Sequence, residues 1–83
     1  MATISQLSRT RRGQLRALKA ASQTLDSAQE ALEREINRLQ TRKRAVPEAA
    51  DAVRLAKLAQ GTEAALANMV GVINNMAQAW SSL

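Results

Sequence analysis

The chain has 83 residues, of which 46% are hydrophobic but only 1% aromatic, and a net charge of +5. A chain this short builds one domain, and with almost no rings its core falls to Ala, Leu, Val, Ile and Met, the aliphatic set of packed helices. With no cysteine and no histidine, a disulfide scaffold, thiolate chemistry and the usual imidazole proton shuttle are excluded.

Thr3 followed by Gln6 fits a capping box, in which hydroxyl and amide reciprocally satisfy backbone donors at a helix start. The first 25 residues hold Arg9, Arg11, Arg12, Arg16 and Lys19 and no acid, a composition shared with transit peptides. The leucine spacing that begins at Leu15 and Leu18 nevertheless continues downstream, so the segment reads as part of the fold rather than a cleaved signal. From Ile4 to Arg44 only Gly13 weakens helix, by about 1 kcal/mol relative to alanine. Leu18, Leu25, Leu32, Leu39 and Val46 recur every seven residues, and Leu15, Ser22, Gln29, Ile36 and Lys43 occupy the complementary seam position. An acidic block of Asp26, Glu30, Glu33 and Glu35 precedes a second basic block of Arg38, Arg42, Lys43 and Arg44.

Ala45-Val46-Pro47 makes the corner. Proline disfavours helix in the residue before it yet suits the first turn of a new one, and Glu48 and Asp51 then stand where helix amides carry partial positive charge. The second helix is expected over about 47–81, after a first over about 4–44 and a corner at 45–47. Leu55, Ala59, Thr62, Leu66, Met69, Ile73, Met76, Trp80 and Leu83 keep a 4-3 alternation, the heptad of left-handed helix packing. The fold class is therefore all-α, one long antiparallel two-helix hairpin. Folding at residue 46 brings Leu25 to Leu66, Leu18 to Ile73, Leu15 to Met76 and Leu39 to Val53. Gly61 and Gly71 fall where they would allow close backbone approach.

The second helix adds Leu58, Ala65, Val70, Val72 and Ala77 beside its seam, a stripe wider than one partner helix covers. A lone hairpin offers little core, so self-association into a four-helix bundle or larger helical oligomer is expected. Partner contact is assigned to Leu58, Met69, Val70, Val72, Met76 and Trp80. Trp80 comes level with Arg11 and Arg12, where it either plugs the open end or anchors a partner protein.

No phosphate loop, nucleophile elbow or paired catalytic acid is present, so no catalytic residue, metal ligand or cofactor is assigned. The glutamate cluster reads as a solvated face with intrahelical pairs Glu30–Arg34 and Glu35–Arg38. No run approaches the ~20 apolar residues of a membrane span; residues 64–73 come closest and Asn68 interrupts them. The expected class is a non-enzymatic interaction or structural protein, cytoplasmic or part of an assembly, that binds itself and another protein. The alternative is a nucleic-acid-binding bundle using the basic patch Arg9, Arg11, Arg12, Arg16, Lys19, Arg42, Lys43 and Arg44.

In outline alone the hairpin resembles the small co-chaperones and needle subunits of bacterial type III secretion, the secreted hairpins of mycobacterial-type secretion, and short phage regulators. The Trp-x-Gly corner of the mycobacterial-type group and the paired prolines of needle subunits are absent, and no site residue is carried over.

Overall fold

A computed structural model describes residues 3–42, 46 and 48–81. Two helices, α1 (Ile4–Gln40) and α2 (Ala49–Ser81), pack antiparallel along their length. The result is a rod of 65 × 16 × 13 Å. The expected all-α hairpin is the fold.

Thr3 starts α1 with the expected capping box: Gln6 N–H donates to the Thr3 hydroxyl, and Thr3 N–H donates to the Gln6 side chain. The helix ends at Gln40 rather than Arg44. Thr41 caps it: its N–H and its hydroxyl both donate to the Asn37 carbonyl, and the hydroxyl also reaches the Arg38 carbonyl, one of the groups the last turn leaves open. The second helix begins at Ala49 rather than Pro47, and the Glu48 carbonyl accepts from the N–H groups of Asp51 and Ala52. The expected roles of Lys43, Arg44, Ala45 and Pro47 in the corner lie outside the described residues, as does the seam position of Leu83.

Each helix buries a heptad stripe, but the stripe is rotated from the expected one. On α1 the row Leu18, Leu25, Leu32, Leu39 is partnered by Gln14, Ala21, Ala28 and Glu35, not by Leu15, Gln29 and Ile36, which are exposed; Ser22, half-buried, sits at its margin. On α2 the row Leu55, Thr62, Met69, Met76 is partnered by Leu58, Ala65, Val72 and Ala79, while Ala59, Leu66, Ile73 and Trp80 are exposed. Val46, expected to extend the leucine row, is exposed beyond the helix end. Leu15, Val53, Leu66 and Ile73 are all exposed, so each of the four expected leucine-centred pairs has one member on a flank of the rod rather than in its buried seam.

The reason is size and polarity together. Small alanines at 21, 28 and 65 line the seam, the Gln29 amide stays exposed, and Glu35 meets Arg54 of the facing helix as well as Arg38 of its own. Gly13, Gly61 and Gly71 have open space where a Cβ would stand, so none of them marks a close approach of backbones.

Candidate interaction surface

Two features of the rod are chemically distinct from an ordinary helical surface: an ion network at the corner and an apolar strip beside the seam.

The network joins three arginines to three acids. Arg38 grips Glu35 with two hydrogen bonds, Nη2 to Oε1 at 2.6 Å and Nε to Oε2 at 3.1 Å, and also reaches Asp51 at 3.1 Å. Arg54 crosses from α2 to Glu35 at 3.1 Å, and Arg42 binds Asp51 and Glu48. The Glu35 side chain is 10% exposed. The Arg38 fork, and secondarily Arg54, outweigh the opposing effect of burial and pull its carboxyl from the ordinary 4.5 down to about 2; the same contacts hold Arg38 even more firmly protonated. The fork, within α1, orients both side chains, and the crossing bonds Arg54–Glu35 and Arg38–Asp51 pin the register near the corner. At the other end Trp80 Nε1 donates to Gln14 Oε1 at 2.6 Å. Both cross-links lie within about three positions of the register expected for a fold at residue 46.

The sequence gives Glu35–Arg38 correctly. Glu30 and Arg34, also expected to pair, are both exposed and form no ion pair among the described residues; a solvated pair gains too little to fix two long side chains. Glu30 and Glu33 point outward while Glu35 lies in the seam, so the glutamates do not converge on one point. Contrary to a solvated Glu35, the network also crosses between the helices, through Arg54–Glu35 and Arg38–Asp51. Its signal was the register, which sets residues 35–42 opposite 50–57.

The apolar strip is the second feature. Ala56, Ala59, Leu66, Val70, Ile73, Ala77 and Trp80 are all exposed, with Glu63 the one charged member of the row. They repeat the 4-3 spacing of the buried stripe, displaced by one residue, which is about 100° around the helix. Leu66 is 49% exposed, Ile73 43% and Trp80 39%. Of the expected partner contacts, Val70 and Trp80 lie on this strip. Leu58, Met69 and Val72 are half-buried and Met76 is buried; those four serve the α1–α2 seam, and Leu66 and Ile73 take their place on the surface. Trp80 is exposed, and with Ile4, Leu7, Arg11 and Ala79 it lines an open hollow of about 420 Å³.

Arg9, Arg11, Arg12, Arg16 and Lys19 are exposed and make no ion pair among the described residues. Arg42 is different, since Asp51 and Glu48 already neutralise it. Lys43 and Arg44 lie outside the described residues. No helix among the described residues is long and apolar enough to cross a membrane. Comparison with protein-family models, with curated proteins and with solved structures finds no match to this chain.

Proposed function

We propose that this chain is a non-enzymatic packing module, an assembly subunit, adaptor or small chaperone or regulator of bacterial or phage type. It works in the cytoplasm or within a larger assembly, and it self-associates and holds a protein partner by helical packing. The observation that carries the reading is the second heptad stripe of α2, exposed along the helix while the first is already used. A surface helix normally needs one apolar stripe; a contiguous second one marks an interaction surface. Replacing Leu66 and Ile73 with serine tests it. The L66S/I73S variant is expected to keep its helical circular dichroism and to elute later than the native chain in size-exclusion chromatography with light scattering. Identical elution, with both forms at the monomer mass of 9.0 kDa, contradicts the reading.

A second reading, binding of a nucleic acid, is favoured by the five unpaired cations at the open end, where phosphates would find charges not already satisfied. It is the weaker of the two, because Arg42 in the other basic block is occupied and the chain has no aromatic platform apart from Trp80 for stacking bases. Mobility shifts with generic duplex DNA or RNA that persist at low salt and vanish at high salt would support it, and no shift at low salt removes it.

A further inference from the structure

Resting on the packing-module reading, we propose that the strip is covered by a second copy of this chain, laid end for end across a twofold axis near residues 22–23 of α1 and 69–70 of α2.

The argument begins with where the strip sits. In an antiparallel pair, positions displaced the same way from both seams emerge on one side of the rod. The α2 strip therefore shares a face with the matching rows of α1: an inner row Leu15, Ser22, Gln29, Ile36 and an outer row Arg12, Lys19, Asp26, Glu33. The opposite side of the rod carries Arg38 and Arg54 of the ion network, so the two sides differ sharply in polarity.

The outer row of α1 is what selects the occupant. Its charges read plus, plus, minus, minus at seven-residue spacing. All four residues are exposed, and none makes an ion pair among the described residues. Such a row is complementary to itself when reversed: turned about residues 22–23, Arg12 meets Glu33 and Lys19 meets Asp26. A parallel arrangement sets like charge on like.

The apolar row of α2 has the same symmetry about the same level. Interpolating between the Trp80–Gln14 and Arg54–Glu35 hydrogen bonds sets residues 22–23 of α1 level with about residues 69–70 of α2. Turned about that level, Leu66 meets Ile73 of the second copy, Val70 meets Val70, and Trp80, the largest residue on the face, meets Ala59, one of the smallest. Charge pattern and size pattern lie on different helices, yet one axis serves both. Isologous interfaces require this self-complementarity.

The area fits as well. A face of 65 × 16 Å offers on the order of 1,000 Å², above the roughly 800 Å² per partner of a standard stable interface. The product is a four-helix bundle with Leu15, Ile36, Leu66 and Ile73 inside and the charge row along its rim.

The chain has no cysteine, so single cysteines report the geometry cleanly. Treated with a short bismaleimide, Val70→Cys in the full chain is expected to cross-link into a covalent dimer, whereas Ala56→Cys, held about 40 Å from its own copy by helix rise, is not. Reversing either half of the charge row, in D26K/E33K or in R12E/K19E, is expected to weaken dimerisation by about tenfold or more, and mixing the two variants is expected to restore it. Equal cross-linking at 56 and 70, or charge variants that do not rescue each other, overturns the end-for-end arrangement while leaving the packing module standing. A native chain that stays monomeric overturns both.

Discussion

Glu35 is an acid at a position where the heptad calls for an apolar residue, and the arginines around it explain why the fold accepts it. Its carboxyl loses most of its water and receives the Arg38 fork and Arg54 in exchange. Because folding depresses its pKa from 4.5 to about 2, the unfolded chain binds the proton more readily. The network's contribution is then complete above the unfolded value and is lost as pH falls through the folded one. Thermal melts of the native chain are expected to lose stability as pH falls from about 4.5 to about 2, and Glu35→Gln, already lacking the charge, is expected to show a shallower decline over that window. Parallel declines in the two proteins would exclude Glu35 as the group responsible. Arg38 contributes nothing to this pH dependence, since it stays protonated in both states.

At the scale of the helix, the hairpin, its polarity and its approximate register were legible in the sequence, because a proline-marked corner between two heptad repeats has few other solutions. The rotational setting of each helix was not. Size favoured Leu66, Ile73 and Trp80 for the seam of α2, whereas the folded chain uses Leu58, Ala65, Val72 and Ala79. Two stripes a residue apart on α2 are both apolar, and side-chain size, the one difference visible on that helix alone, points to the stripe the fold leaves exposed. On α1 the fold likewise takes the row Gln14, Ala21, Ala28 and Glu35 and leaves Leu15, Gln29 and Ile36 exposed, with small alanines and the ion-paired Glu35 in the seam. The helix boundaries differ locally: Thr41 caps α1 at the Asn37 and Arg38 carbonyls, and the Glu48 carbonyl takes the first N–H groups of α2. This division of labour between the stripes can be separated experimentally. Met76→Ala removes a buried side chain and is expected to destabilise the fold by about 2 kcal/mol, at the low end for core methionine because a two-helix seam can partly collapse. Leu66→Ala, at an exposed position with a good helix former introduced, is expected to leave the helical signal intact while weakening association. Chemical denaturation at low protein concentration distinguishes the two; equal losses from both would mean that Leu66 belongs to the hairpin's own core.

For the molecule as a whole, surface area is the decisive quantity. The rod exposes 6672 Å², whereas a compact monomer of 9.0 kDa exposes roughly 4,900 Å². No described side chain is wholly buried, and the core consists of Ala21, Ala65 and Met76, far less than a small domain normally needs to stand alone. The charges are partitioned in a related way. At the corner, arginines and acids satisfy one another within the chain, while in the row Arg12, Lys19, Asp26, Glu33 the nearest opposite charges stand seven residues apart, about 10 Å of helix rise, and form no ion pair among the described residues. On the proposed reading, the rod has one end whose charges are satisfied and one face that a second copy covers. Sedimentation equilibrium of the full native chain over a range of concentrations tests this most directly: the account predicts a mass that tends to twice 9.0 kDa as concentration rises, and a well-folded species that stays at 9.0 kDa throughout would contradict it.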